Sequence, residues 1–237
     1  MIIMYYFCEI LFVFTIFCCA SIMTINNSID SMLKNFTIQT LLISFYILHI
    51  FFKYGKQSHS FIVLLLPHVV FIFLIFSVRI FLWPKFITQL IPNMLPYGKA
   101  VHRHWIFISS ILFYSFIFYI SFHVTSPLKE NKFIGTQELL LLRINLSLGL
   151  VIIISAIFVM VTRNDILSQT IGLIQAENGL YFTVFSLSLF FIKFFYYLLI
   201  AAFVFMFLTL IILYFLLKNI KSEIGSFETT KIENLKG

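Results

Sequence analysis

Long, uninterrupted apolar blocks constrain this chain more than any other feature of its sequence. The blocks are about 18 to 26 residues long, and a helix needs roughly 20 apolar residues to cross the ~30 Å hydrocarbon core of a bilayer. The sequence therefore predicts an all-α, polytopic transmembrane bundle of about seven spans. The predicted spans are residues 2–24, 37–53, 60–83, 104–124, 138–162, 166–188 and 192–217.

The composition agrees with a membrane protein and argues against an ordinary soluble domain. Of the 237 residues, 61% are hydrophobic and 11% are charged, and the mean hydropathy is +1.05. A soluble domain carries roughly 25% charged residues. The net charge of +7 arises from cations that mostly flank the apolar blocks, as the positive-inside rule requires, so no nucleic-acid partner is predicted.

The cations also predict an orientation for a single transmembrane domain, residues 1–217, with a polar tail over 218–237. One set of loops and ends contains Lys34, Lys85, Lys99, Arg103, Arg163, Lys218 and Lys221. The other set contains Lys53, Lys56, Lys129 and Lys132. The larger set marks the cytoplasmic side, which places the "TRND" turn and the C-terminus inside and the N-terminus outside.

Five ionisable residues fall within the predicted spans: Glu9, Arg79, Arg143, Glu177 and Lys193. A charged group at the bilayer centre costs at least about 2.5–3.5 kcal/mol on insertion scales, so each is a functional candidate. Three of them lie close to the ends of their spans, where a side chain reaches the interface. For Glu9, Arg143 and Lys193 a structural role is therefore favoured.

Glu177 is the sharpest candidate, because it lies near the predicted midplane. If its helix begins at Ile166, the rise of 1.5 Å per residue places Glu177 about 16 Å deep. Its side chain is too short to reach the interface and must face protein or water. Thr170, Tyr181 and Ser188 share its helical face and supply hydroxyl groups. Two roles stay open, a reversible proton carrier and a protonated strut between helices.

Arg79 is the second sharp candidate, in the stretch "FSVRIFLWPKF". If the helix continues past Pro84, Arg79 is deep enough to need an anionic partner or water. If the helix ends at Trp83, Arg79 reaches the interface and Trp83 is an interfacial belt residue. The sequence alone leaves both alternatives open.

No catalytic centre, metal or cofactor is predicted on this chain. The three cysteines, Cys8, Cys18 and Cys19, all lie in the first block and form no CxxC pair. His102 and His104 lie close together but have no third ligand nearby. The sequence contains no Ser–His–Asp arrangement, no glycine-rich phosphate loop and no haem or Fe–S motif.

The stretch "TRNDILSQTIGLIQAENGLYF" resembles the membrane subunit called hydrogenase-4 component E, a family related over its C-terminal part to subunit K of NADH-quinone oxidoreductase. The resembling residues are Arg163, Asn164, Gln169, Gly172, Glu177, Asn178 and Gly179. "FSVRIFLWP" is similar to a family segment in which a basic residue precedes a proline by five positions, as Arg79 precedes Pro84. The final "LKG" agrees with a common family ending.

The resemblance implies an accessory membrane subunit of a hydrogenase-4, formate-hydrogenlyase-like or complex-I-like assembly in a bacterial or archaeal plasma membrane. Any [NiFe] and Fe–S centres would then belong to partner subunits. It also implies that Glu177 relays protons and that Arg79 lies on the same polar axis. Tyr181 and Thr170, which share the helical face of Glu177, complete the predicted relay.

This chain departs from related proteins in one respect, because the helix after Glu177 contains no second acid. Lys193 is the only ionisable group in that region, so an onward path must use water, hydroxyl groups or partner subunits. Two other functions stay open. One is a subunit of a cation/proton antiporter or inorganic-carbon uptake complex without redox chemistry, and the other is a purely structural helix bundle.

Overall fold

A computed structural model describes residues 2–26, 28–54, 73, 77–90, 103–126, 136–163, 165–188 and 192–224. Throughout these residues the fold is all-helical, which confirms the predicted class. The helices are α1 (Ile2–Ile25), α2 (Ile29–Tyr54), α3 (Trp83–Leu90), α4 (Arg103–Val124), α5 (Thr136–Thr162), α6 (Ile166–Ser188) and α7 (Ile192–Ile224). A π-helical segment, Val78–Leu82, leads directly into α3.

Two of the described helices are long and apolar enough to cross a membrane. They are Leu139–Thr162 within α5 and Ile200–Ile220 within α7, whereas Glu9–Ile25 and Ile108–Val124 are apolar but shorter. These helices are compatible with a membrane protein. The seven-span arrangement and its orientation stay predictions of the sequence.

Three helix boundaries differ from the predicted spans. The second helix begins at Ile29 rather than at residue 37, the helix after Arg79 continues to Leu90, and α7 continues to Ile224. At the start of α2 the Ser28 hydroxyl accepts a hydrogen bond from the Ser31 amide at 3.3 Å and so caps the helix. Most of the predicted span 60–83 and residues 225–237 of the predicted tail lie outside the described residues.

Among the described helices α5 and α6 pack most extensively against each other, because only the short "TRND" turn joins them. A Cβ atom added to Gly179 would lie 2.8 Å from the carbonyl oxygen of Gly149 on α5. A Cβ atom added to Gly172 would lie 3.1 Å from the carbonyl oxygen of Ala156. Glycine at these positions therefore lets the two helix backbones approach each other. α6 also packs against α2 and α7, so it is surrounded by helices.

Polar side chains form a layer between two buried apolar clusters. The first cluster includes Ile43, Tyr46, Ile152, Phe182 and Met206, and the second includes Phe36, Trp83, Val159, Ile174 and Leu213. The residues between the clusters are here called the polar layer: Gln39 and Thr40 of α2, Arg79 of the π-helical segment, Ser155 of α5, and Gln175, Glu177 and Asn178 of α6. Each of them is almost fully buried, so the layer crosses the centre of the fold.

Candidate functional site

Arg79 and Glu177 form an ion pair at the centre of the polar layer. Arg79 Nη2 lies 3.0 Å from Glu177 Oε2, and the two side chains are 0% and 2% exposed. The same nitrogen donates a hydrogen bond to the carbonyl oxygen of Ile174 at 2.6 Å. The guanidinium group is thus fixed to α6 by both a carboxylate and a backbone oxygen, one turn apart on the helix.

The course of the helix after Arg79 decides whether this residue is buried with a partner or reaches the interface, the two alternatives that the sequence leaves open. The helix continues through Pro84 to Leu90, and Trp83 is fully buried beside the second apolar cluster. The alternative in which Trp83 is an interfacial belt residue and Arg79 reaches the interface is therefore wrong. Arg79 has the anionic partner that the other alternative requires.

The π-helical turn positions Arg79 and has a cause in the sequence. Proline has no N–H to donate, and its ring crowds the carbonyl group four residues earlier, which for Pro84 is that of Ile80. The chain widens into a π-helical turn over Val78–Leu82 immediately before this proline, and the Trp83 amide donates to the carbonyl of Val78. Such turns alter the direction of the side chains they contain and are frequent at functional sites.

Two aromatic rings enclose the guanidinium group of Arg79. Its Cζ atom lies 4.8 Å from the ring centroid of Tyr181 and 5.8 Å from that of Phe36. The Tyr181 hydroxyl donates to the carbonyl oxygen of Ala202 on α7 at 2.6 Å. Tyr181 therefore faces Arg79 through its ring and links α6 to α7 through its hydroxyl group.

Thr170, the other hydroxyl in the predicted relay, lies at a different level. Its hydroxyl donates to the carbonyl oxygen of Ile166 within α6 at 2.7 Å. The helical rise places it about 10 Å below Glu177 along α6. The structure does not bring Thr170 to the ion pair. Ser188 ends α6, and its side chain lies outside the described part of the chain.

Neutral polar residues complete the layer, and of these only Asn178 is among the residues that carry the family resemblance. Asn178 Nδ2 donates to the Thr40 hydroxyl at 2.9 Å, and Gln175 Nε2 donates to the Ser155 hydroxyl at 3.0 Å. Thr209 of α7 lies beside the Glu177 carboxyl group. The sequence signal for Thr40, Ser155 and Gln175 is the presence of amide and hydroxyl side chains inside apolar blocks.

Several buried polar atoms of the layer have no hydrogen-bond partner among the described residues. The acceptors are Glu177 Oε1, Gln175 Oε1 and Asn178 Oδ1, and the donors are Gln39 Nε2 and the Nε and Nη1 atoms of Arg79. Buried polar groups are nearly always hydrogen-bonded, and internal water commonly bridges donors and acceptors that protein atoms leave unpaired. The polar layer therefore has the chemistry needed to bind water next to Glu177.

The motif residues at the α5–α6 turn have an architectural role in the fold. Arg163 Nη2 donates to the carbonyl oxygens of Thr24, at 3.1 Å, and of Asn26, at the C-terminal end of α1. Gln169 Nε2 donates to the carbonyl oxygen of Arg163 at 2.7 Å, and Asp165 caps α6. Partial burial lowers the pKa of Arg163, and the Asp165 carboxylate partly offsets this effect. Asn164 lies outside the described residues.

The remaining ionisable candidates are separate from the ion pair. Lys53 Nζ donates to Glu9 Oε1 at 2.7 Å, at the end of the bundle where α1 begins and α2 ends. Arg143 Nη2 donates to the carbonyl oxygen of Phe122 at 2.9 Å, and its guanidinium group lies 4.3 Å from the centroid of that ring. The side chain of Lys193 lies outside the described part.

The described residues contain no grouping of side chains suited to a metal ion. Throughout the described residues no three His, Cys, Asp or Glu side chains come together as metal ligands. The weak pattern of His102 and His104 cannot be compared with it, because these side chains lie outside the described part.

Comparisons with family models, with curated proteins and with solved structures found no match for this chain. A carboxylate, a guanidinium group and unpaired donors and acceptors meet in one buried layer. Such an arrangement can bind and release a proton at the carboxylate while the neighbouring cation keeps its charge.

Proposed function

We propose that this chain is an accessory membrane subunit of a hydrogenase-4, formate-hydrogenlyase-like or complex-I-like assembly, and that Glu177 relays protons through it. The ion pair between Arg79 and Glu177 is the observation that carries the proposal. A lone carboxylate at this depth would be costly, whereas a carboxylate with a cation and hydrogen-bonding neighbours is tolerated. In membrane proteins, buried ionisable pairs of this kind mark ion and proton pathways.

The two oxygens of Glu177 have different environments, which suggests how a proton enters. Oε2 accepts the hydrogen bond from Arg79, whereas Oε1 accepts none among the described residues, and the Thr209 side chain lies beside the carboxyl group. A proton delivered to Oε1 makes the carboxyl group neutral and leaves Arg79 with the only charge of the pair. Arg79 still donates to the carbonyl of Ile174, which keeps the guanidinium group in place. Loss of the proton restores the neutral ion pair.

The resemblance at "ENG" and "RIFLWP" supports the assignment to a hydrogenase-4-like or complex-I-like assembly. The chemistry of such a subunit would be proton movement, with [NiFe] and Fe–S centres in partner subunits. The apolar part of α7, residues 192–217, contains no second acid. The polar layer would supply the onward path instead, because Gln39 Nε2 and Asn178 Oδ1 are buried there without partners among the described residues and have the chemistry to bind water.

The proposed chemistry needs no redox centre, and this favours one further candidate. The same ion pair would serve a subunit of a cation/proton antiporter or of an inorganic-carbon uptake complex. Identification of the polypeptides that leave the membrane with this chain in mild detergent separates the two. Hydrogenase large and small subunits support the first, and antiporter-like subunits alone support the second.

A structural bundle is the main rival to any proton relay, because the ion pair also joins the π-helical segment to α6. Proton translocation by the co-purified assembly in vesicles distinguishes them, with wild type compared with Glu177→Gln and with the charge-balanced double variant Arg79→Met/Glu177→Met. We expect the double variant to assemble and to lose translocation. Translocation retained by an assembled double variant would leave only the strut.

A further inference from the structure

A second line of polar residues runs along α2, away from the ion pair. Gln39, Tyr46, His49 and Lys53 fall within about 80° of one another around the helix at 100° per residue, and they span about 21 Å along it. We call these four residues the α2 stripe. It faces the interior of the bundle, because its members contact α1, α5 and α6.

The inner end of the stripe belongs to the polar layer. Gln39 is 1% exposed, and its Nε2 atom has no hydrogen-bond partner among the described residues. The neighbouring residue, Thr40, accepts the hydrogen bond from Asn178, which directly follows Glu177. The inner end of the stripe therefore lies at the level of the polar layer, one residue from the threonine that bonds α6.

The middle of the stripe is a buried hydroxyl group with an amide partner. Tyr46 is fully buried and donates to Asn145 Oδ1 on α5 at 2.7 Å. Its ring stacks on Phe182 of α6 at 5.7 Å between centroids. A tyrosine hydroxyl can both donate and accept a hydrogen bond, so this group can take part in a hydrogen-bonded chain.

The outer end consists of an imidazole and an ion pair. His49 stacks on Phe12 of α1 at 6.2 Å, and its Nε2 atom is buried without a partner among the described residues. About one turn further on, Lys53 pairs with Glu9 of α1 at 2.7 Å, and its side chain is 21% exposed. Lys53 thus provides a partly exposed group at the end of the bundle.

We propose that the α2 stripe is the half of the proton path that connects the polar layer with the Glu9–Lys53 end. The inference rests on the proposed proton relay at Glu177 and adds the route by which protons move between Glu177 and one end of the bundle. Hydroxyl and imidazole groups bind a proton on one side and release one on the other, with water between them. The aromatic rings of Phe12 and Phe182 line this path, and throughout the described residues no cluster of acids suited to a metal cation lies on it.

Carbodiimide labelling of Glu177 tests this path, because carbodiimides react with a protonated carboxyl group in apolar surroundings. Sealed vesicles in the two opposite orientations would be held under a steady pH gradient, and the modified Glu177 peptide would be quantified by mass spectrometry. In wild type we expect labelling to fall when the pH rises on the Glu9–Lys53 side. In Tyr46→Phe/His49→Phe this response should shrink about tenfold or more, since a positioned proton-transfer group contributes about 10²–10⁴-fold to a rate.

Matched variants separate the path from general damage to the fold. Tyr114→Phe removes the hydroxyl of another buried tyrosine, on α4 and away from the stripe, and should keep the wild-type response. Glu9→Gln/Lys53→Gln removes the ion pair at the outer end without leaving an unpaired charge, and should also lose the response.

The outcomes distinguish the stripe from the relay itself. A response that persists in both stripe variants overturns the path along α2 and leaves Glu177 as a proton carrier. Absence of labelling at Glu177 at every pH and in both orientations overturns the proposed relay, and the stripe with it.

Discussion

Arg79 and Glu177 stand 98 positions apart in the sequence and meet with 3.0 Å between Nη2 and Oε2 in the buried centre of the fold. Their opposite charges cancel, so the π-helical segment and α6 together bury a neutral pair where neither residue is tolerated alone. Stability and proton transfer would thus depend on the same two side chains. Substitutions that keep the charge balance can separate the two effects.

The ion pair predicts opposite stabilities for single and double substitutions. Glu177→Gln leaves the buried Arg79 charge without its counterion and should destabilise the fold by about 3–5 kcal/mol. Arg79→Met/Glu177→Met removes both charges, and it should be as stable as wild type or more stable. The thermal unfolding midpoint in detergent measures the stability of the single and the double variant. A single variant as stable as wild type would show that the pair is not desolvated.

The close approach of α5 and α6 predicts a graded response to added methyl groups. In Gly179→Ala the new Cβ meets Ile153 at 2.7 Å and the backbone oxygen of Gly149 at 2.8 Å, so the helices must separate. We expect a loss of about 1–3 kcal/mol despite the better helix propensity of alanine. Gly172→Ala should cost less, because its nearest contact, at 2.8 Å, is the flexible side chain of Met160. The reverse order of unfolding midpoints would contradict this packing.

The hydrogen bond between Asn178 and Thr40 predicts a loss of folding stability when Thr40 is replaced by an apolar residue of the same shape. Thr40→Val leaves Asn178 Nδ2 buried without its acceptor, which should cost about 1–3 kcal/mol. Thr37→Val, one turn earlier on α2, is the matched control, since the Thr37 hydroxyl bonds back to the carbonyl oxygen of Leu33. Denaturant unfolding of the two variants compares them. Equal losses would mean that the penalty comes from valine in α2 and not from Asn178.

The contact of Arg163 with the end of α1 predicts local opening in its absence. Arg163→Met removes the donor to the carbonyl oxygens of Thr24 and Asn26, and hydrogen bonds from charged groups are worth about 1.5–3 kcal/mol. We expect faster proteolysis at the α1–α2 turn. Arg163→Lys keeps the charge but has fewer donors, so its rate of proteolysis should lie between those of wild type and Arg163→Met. Unchanged proteolysis in Arg163→Met would show that other contacts hold the turn.

The sequence was sufficient for much of the helical framework. Predicted spans 104–124, 138–162 and 166–188 agree with α4, α5 and α6 to within two residues, because apolar blocks bounded by polar turns leave little choice. It failed at the start of α2, where polar residues looked like a loop. There Asn35 is buried inside the helix and donates to the carbonyl oxygen of Cys19 on α1 at 2.7 Å, a tertiary contact that the local pattern does not contain.

The sequence predicts the two charged residues of the site but not their contact with each other. The depth of Glu177 follows from its position in one helix, and the need of Arg79 for a partner follows from its position in another. That each is the partner of the other depends on how two distant segments pack, which the hydrophobic pattern does not specify. The contributions of Thr40, Ser155 and Gln175 were missed because neutral polar residues are inexpensive enough in helices to carry little signal.

The most direct test of the account is whether the Glu177 carboxyl group exchanges its proton with solvent. Infrared difference spectra recorded between acidic and alkaline buffer, with the protein in lipid vesicles, report the carbonyl stretch of protonated carboxyl groups, and subtraction of the Arg79→Met/Glu177→Met spectrum isolates the Glu177 contribution. We predict a band assigned to Glu177 that appears and disappears reversibly with pH. A Glu177 band that stays constant, or never appears, throughout the pH range in which the protein remains folded would contradict the proton relay.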